Sequence, residues 1–154
     1  MKYKVEAEIL TVVSCFENGS IPRENWKHAE HLTVALYYIL NSKSLSDACD
    51  KMRGGIFNLL KSFQIDLSKD MPYHETLTVF WIRTIADFTK SKNDASIVEI
   101  CNALIENFDK DYPLKFYSRE TLFSDEARKF YIKADLKDVN ENFAFDYKSL
   151  SHQN

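Results

Sequence analysis

Apolar residues recur every three or four positions through most of the chain, the spacing that puts them on one face of a helix. This pattern predicts five helices, over residues 3–17, 22–40, 45–63, 72–89 and 94–108. A shorter sixth helix is predicted over residues 124–134, followed by an irregular tail that carries Phe143, Phe145 and Tyr147.

Residues that start or stop helices lie at the ends of these segments. Asn18 and Gly19 favour a stop after the first helix, and Pro22 favours the start of the second. Ser44 or Ser46 is the predicted cap of the third helix, and Asp94 is the predicted cap of the fifth.

Two adjacent glycines interrupt the third helix. Gly54 and Gly55 each cost roughly 1 kcal/mol relative to alanine inside a helix. We therefore expect a neighbouring helix to approach closely at this pair.

Composition supports a helical fold. Among 154 residues there are only 3 Gly and 3 Pro, which favours long helices joined by short loops. The predicted fold is all-α: an up-down helical bundle of four core helices with two additional C-terminal helices and an irregular tail. One domain would span residues 1–154, with its core at about 3–110 and a C-terminal extension at about 111–154.

Charge narrows the range of partners. The formal net charge is −3 and no basic block occurs, so we expect no nucleic-acid partner. The charged start and the lack of a long apolar run predict no membrane partner and a cytoplasmic location. Cys15, Cys49 and Cys101 are expected to be reduced and buried. The tail aromatics would pack on the bundle or on a partner subunit, so a homodimer stays open.

Two short stretches hold three of the four histidines. The first is a W-x-H-x-x-H-L motif at 26–32, and the second is Y-H-E-T at 73–76. Extending the apolar stripe of the second helix backwards places His28 and His31 on its inner face. Glu30 lies about 200° from His28 around the helix, so Glu30 is expected to face solvent, with Lys27 also on the outer face.

Helix topology predicts that the two motifs meet. Helices joined by short loops run antiparallel, so the second and fourth helices should be parallel and diagonal across the core. Both motifs begin these helices and would therefore lie at the same end of the bundle. His28, His31 and His74 are expected to converge there.

Three converging imidazoles allow three interpretations. With Glu75 or Glu24 as a further donor, they match the ligands that Zn, Ni, Fe or Cu accept, which would make a metal-dependent enzyme. Alternatively, the positive ends of two helices would favour neutral histidines acting as acid–base groups on an anionic small molecule. In the third interpretation the histidines are structural and the protein is a non-enzymatic ligand-binding or dimerisation module. Glu75 also has a competing role, as a carboxylate at a helix start.

If the site performs acid–base catalysis without a metal, four further residues are candidate substrate contacts. They are Arg53, Tyr73, Tyr117 and Arg119.

The two motifs together resemble those of a set of small uncharacterised bacterial helical proteins, over most of the chain, and this resemblance implies no activity. The histidine-bearing bundle is also loosely similar to the DinB-like metal-binding helical bundles. Some of those are thiol-dependent transferases or isomerases with a three-histidine metal site, which implies a metal-binding protein acting on a small molecule. That family usually takes one histidine from its second helix and two from a later one, whereas here the second helix supplies His28 and His31.

Overall fold

The computed structural model describes residues 1–69 and 71–137. Over these residues it is helical and contains no strand, which confirms the all-α prediction. The helices are α1 (Glu6–Glu17), α2 (His28–Asn41), α3 (Leu45–Ser62), α4 (Glu75–Lys90), α5 (Ile97–Asn107), α6 (Arg119–Leu122) and α7 (Asp125–Lys129). Two 3₁₀ turns cover Arg23–Asn25 and Tyr112–Lys115. The predicted aromatic tail, with Phe143, Phe145 and Tyr147, lies outside the described residues.

Helix α2 is the central element of the bundle. It packs against α1, α3, α4 and α5, and α3 also packs against both α1 and α4. Its inner face is fully buried, as shown by Leu32, Ala35 and Leu36. Within the described residues, no helix is long and apolar enough to cross a membrane.

Two predicted helix starts were too early. The second helix begins at His28 and not at Pro22, because Trp26 and Lys27 adopt extended backbone conformations. The extended segment lets the Trp26 ring stack on Phe16, with 5.1 Å between ring centroids. The fourth helix begins at Glu75 and not near Pro72, since His74 is its N-cap.

The caps of the third and fifth helices are both serines. Ser44 caps α3, because its hydroxyl accepts the Asp47 N–H at 3.0 Å. Asp94 does not cap α5; the cap is Ser96, whose hydroxyl accepts the Glu99 N–H at 3.1 Å. Asp94 instead occupies a left-handed turn conformation, with φ of 69°.

The described chain beyond residue 110, residues 111–137, contributes to the core. The predicted sixth helix is shorter than expected and is preceded by the separate helix α6, while Ser124 caps α7 through the Ala127 N–H. Tyr117 and Leu122 are buried, and α7 packs on α4. The described part of the C-terminal extension therefore completes the bundle.

The close approach expected at the glycine pair occurs at Gly55. A Cβ atom added there would overlap Cε2 of Phe16, at a separation that non-bonded carbon atoms do not adopt. At Gly54, by contrast, an added Cβ meets no atom within 4 Å. Of these two glycines, only Gly55 leaves no room for a side chain.

This contrast gives a matched pair of variants. We expect Gly55→Ala to lower the free energy of unfolding by about 1–2 kcal/mol, because the overpacking cost exceeds the gain in helix propensity. Gly54→Ala should raise it by about 0.5–1 kcal/mol, since only propensity changes. Urea denaturation of both variants measures the difference, and equal stabilisation by the two would contradict the packing.

Candidate functional site

A cavity of about 390 Å³ lies where the starts of α2 and α4 meet. His28, His31 and His74 are all among the residues that line it. The remaining wall is mostly apolar and comes from four parts of the chain. The lining residues are Trp26, Lys27, His28, His31, Ile56, Leu60, Pro72, Tyr73, His74, Leu77, Thr78, Trp81 and Lys110.

The charged side chains that line the cavity are both cationic. They belong to Lys27 and Lys110, and no acidic residue is among the described residues of the wall. Neither ammonium forms an ion pair with a described residue, since the ion pairs of the structure involve other groups. Among the described residues, this positive charge at the wall has no ion-pair partner.

His74 serves as the N-cap of α4. Its Nδ1 accepts the Leu77 N–H at 3.1 Å, so the proton of the neutral ring resides on Nε2. That nitrogen donates to the Leu122 carbonyl oxygen at 2.6 Å. Burial lowers the pKa of His74, which keeps this neutral form. Both nitrogens are therefore engaged in structural hydrogen bonds.

His28 is the first residue of α2 and is tied to the end of α5. Its Nε2 lies 2.8 Å from the Phe108 carbonyl oxygen, which can only accept, so Nε2 carries the proton. The ring also packs against Trp81, with 5.0 Å between centroids. One nitrogen of His28 is thus already used.

His31 differs from the other two. Its imidazole makes no hydrogen bond to any described residue, and its nearest aromatic partner is Trp26, at 5.9 Å between centroids. Burial lowers the pKa of His31 to about 4, with a smaller contribution from His28. At neutral pH this ring is uncharged and retains both a donor and an acceptor for another molecule.

Glu75 forms a buried ion pair with Arg53. Its carboxylate oxygens accept from Arg53 Nε at 2.9 Å and Nη2 at 2.7 Å, and from the Tyr73 hydroxyl at 2.6 Å. The Glu75 side chain is only 1% exposed. Burial, followed by the nearby Glu75 charge, raises the pKa of Tyr73, so its phenol stays a donor. Arg53 also holds Asp50 at 2.8 Å, and its ordinary role here is structural.

Thr76 completes the Y-H-E-T motif. Its hydroxyl oxygen lies 2.7 Å from the Ala127 carbonyl oxygen and 2.9 Å from that of Phe130, and it accepts the Ile132 N–H at 3.1 Å. Every residue of the motif therefore has a structural hydrogen bond, and the motif joins α4 to its neighbours.

Other predicted candidates lie away from the cavity. Tyr117 is fully buried and donates its hydroxyl to the Ile132 carbonyl oxygen at 2.6 Å. Arg119 is exposed at the start of α6, and Glu24 is exposed in the first 3₁₀ turn. Tyr73 is the one candidate substrate contact that lines the cavity.

Glu30 was expected to face solvent, and this expectation needs correction, whereas Lys27 was expected on the outer face and is exposed. The Glu30 carboxylate accepts the Lys27 N–H at 3.2 Å and pairs with Lys2 at 2.9 Å, which leaves its side chain only 13% exposed. Lys27 also lines the cavity, because it precedes α2 and so does not follow its helical periodicity.

The donors do not fit a three-histidine metal centre. Among the described residues, no group of three or more His, Cys, Asp or Glu side chains is arranged to hold a metal ion. The hydrogen bonds of His74 explain this, because a ligand nitrogen must offer a free lone pair. Glu75 is likewise engaged by Arg53 and Tyr73.

The pattern of the sequence did not reveal Lys110 or Trp81 as parts of the site. Trp81 was predicted only as a core residue of the fourth helix, and Lys110 lies in a loop after α5, where no periodicity applies. The one signal for Lys27 was its place inside the histidine motif.

Comparison with known proteins gives no further guide: no protein-family model, curated protein or solved structure matches this chain. The resemblances drawn from the two motifs stay predictions.

The low pKa of His31 makes stability depend on pH. Between about pH 4 and pH 6.5 the unfolded chain binds a proton at this residue and the folded chain does not. Acidification therefore favours unfolding, and this site alone should cost about 2 kcal/mol between pH 7.5 and pH 5. Urea denaturation at the two pH values measures it. His31→Phe should lose less stability on acidification than the wild type, and an equal loss in both would contradict the assignment.

The buried ion pair gives a second stability prediction. Glu75→Gln should lower the free energy of unfolding by about 3 kcal/mol, because it removes the buried carboxylate partner of Arg53 and leaves only the exposed Asp50 beside that charge. Asp50→Asn, which removes the exposed partner of the same arginine, should cost less than about 1 kcal/mol. Chemical denaturation at neutral pH measures both, and similar losses would show that the buried pair has no special weight.

Proposed function

We propose that the cavity between the starts of α2 and α4 binds a small molecule, with His31 as its principal hydrogen-bonding group. The observation that carries this proposal is the free imidazole of His31 in a largely apolar wall. The other two histidines are held by the Phe108 and Leu122 carbonyl oxygens.

Energetics favours an occupant. The His31 side chain is half-buried and its ring nitrogens form no hydrogen bond to a described residue, so a ligand can pair with them at a net gain of about 0.5–1.5 kcal/mol per hydrogen bond. The cavity, at about 390 Å³, falls in the range of small-molecule sites, about 300–1,000 Å³. An apolar wall with a few polar groups is also typical of such sites.

The chemistry of His31 favours recognition over general base catalysis. A base works best when its pKa lies near the working pH, and a pKa of about 4 makes the neutral ring a weak base. As a neutral ring it remains a good hydrogen-bond donor and acceptor. We therefore propose a binding protein first, and metal-free acid–base catalysis second.

A metal-dependent enzyme is a weaker proposal. Any transition metal would have to use His31 and the remaining nitrogen of His28, since His74 and Glu75 are engaged elsewhere. Two imidazoles leave the site one protein ligand short of the usual catalytic set. A cytoplasmic location and a homodimer also stay predictions.

A ligand screen tests the binding proposal. Untagged, metal-free protein is screened against a fragment library by ligand-observed NMR, and the hits are titrated. We expect hits whose affinity falls about three- to tenfold in His31→Leu, as the loss of one hydrogen bond predicts. Arg119→Leu, an exposed residue outside the cavity, should leave affinity unchanged.

Two results would overturn this proposal. One is a set of hits that bind His31→Leu as tightly as the wild type. The other is stoichiometric Zn, Ni, Fe or Cu by elemental analysis after reconstitution, lost in His31→Leu, which would favour the metal centre.

A further inference from the structure

We propose that the occupant of the cavity is an organic anion, with an apolar, ring-sized body and one carboxylate-like group that binds near Lys27 and Lys110. This inference rests on the proposed binding function and adds the class of ligand. It joins the charge of the cavity to the shape and chemistry of its wall.

The charge at the wall is positive and lacks a counterion within the described chain. Lys27 and Lys110 both line the cavity, and neither has an ion-pair partner among the described residues. Among the described acids that are near these lysines in the sequence, Glu30 pairs with Lys2, and the Asp109 carboxylate accepts the Asp111 N–H at 3.0 Å, but none forms an ion pair with Lys27 or Lys110. A bound anion would supply the missing charge.

The start of α2 adds to the same field. His28 is the first residue of this 14-residue helix and lines the cavity, so the positive end of the helix dipole lies at the wall. This end stabilises a nearby anion by roughly 0.3–1 kcal/mol, an effect that it shares with the Glu30 carboxylate, which already accepts the Lys27 N–H. The helix dipole adds to the positive charge of Lys27 and Lys110, and the proposal depends on these two lysines.

The apolar wall requires a body as well as a charge. Trp26, Ile56, Leu60, Leu77 and Trp81 contribute most of it. An inorganic anion would leave this surface in contact with water, whereas a ring gains about 25 cal/mol for each Å² it buries. Two tryptophans at the wall favour a flat ring.

The two lysines, together with a hydrogen bond donated by His31, favour carboxylate-like groups over cations. The neutral His31 ring can donate one hydrogen bond to an anionic oxygen, and the lysines would repel an ammonium group. The same charges that attract a carboxylate would thus exclude an amine of equal size.

A matched ligand series tests the charge independently of the shape. Phenylacetate, phenylacetamide and phenethylamine share one ring and differ in charge, and acetate has the charge without the ring. By ligand-observed NMR titration on the whole protein, we expect phenylacetate to bind about tenfold more tightly than the amide. The amine and acetate should bind more weakly still.

Lysine variants assign the effect to the cavity. Lys27→Gln and Lys110→Gln should each weaken phenylacetate about three- to tenfold and leave the amide unchanged. Lys61→Gln, an exposed lysine of α3 outside the wall, is the matched control and should change neither. Circular dichroism confirms that each variant is folded.

The outcomes separate this inference from the proposed function. If phenylacetamide binds as tightly as phenylacetate, and both bind more weakly to His31→Leu, the preference for an anion is overturned and the binding site is retained. An equal effect of Lys61→Gln would also overturn it, since the attraction would then be diffuse. A third result would be that no member of the series binds, while the fragment library yields neutral or cationic hits that depend on His31. That result would overturn the proposed anionic ligand but not the binding site.

Discussion

The contact between Phe16 and Gly55 governs how the cavity wall is placed. With no Cβ on Gly55, the Phe16 ring occupies the space beside α3, and α1 and α3 can pack closely. Trp26 stacks on the other side of this ring at 5.1 Å and in turn lies 5.9 Å from His31. The position of the His31 imidazole therefore depends, through these two aromatic contacts, on Gly55 having no side chain. Glycine is retained there although it is otherwise unfavourable inside a helix such as α3.

The two histidine motifs have different physical roles. In the Y-H-E-T motif every polar group is bound: the tyrosine and Arg53 to Glu75, the imidazole to Leu122, and the threonine to the chain near Ala127. Buried polar networks of this kind are costly unless fully satisfied, and this one is satisfied. The first motif, in contrast, leaves the His31 imidazole and the Lys27 ammonium without a hydrogen bond or ion pair to any described residue. The uncommitted polar groups of the two motifs therefore lie at the start of α2.

Sequence pattern predicted the helices well because burial of one face sets the period of apolar residues. It also predicted that His28, His31 and His74 lie at one end of the molecule, and the structure places all three among the residues that line one cavity. It could not predict which imidazoles were free, since the partners are carbonyl groups of Phe108 and Leu122, far away in sequence.

Local signals misled in two places for a related reason. Pro72 is a good helix start in isolation, but His74 is the residue that caps α4. Its ring hydrogen-bonds both to Leu77 in the first turn of α4 and to Leu122 at the end of α6. Glu75 in a first turn is typical of a dipole interaction, yet its oxygens are taken by Arg53 from α3. In both cases a tertiary partner outweighed the local preference, and such partners leave no periodic trace in the sequence.

The hydrogen bonds of His74 and Thr76 also bear on the order in which the molecule is made. Their acceptors at Leu122, Ala127 and Phe130 are synthesised about fifty residues after His74 and Thr76 themselves. The cap that His74 Nδ1 gives to the Leu77 N–H is local, but a growing chain on the ribosome carries the His74 Nε2–H and the Thr76 hydroxyl without these carbonyl partners. The hydrogen bonds that fix the two side chains can therefore form only after residues 122–130 have been synthesised.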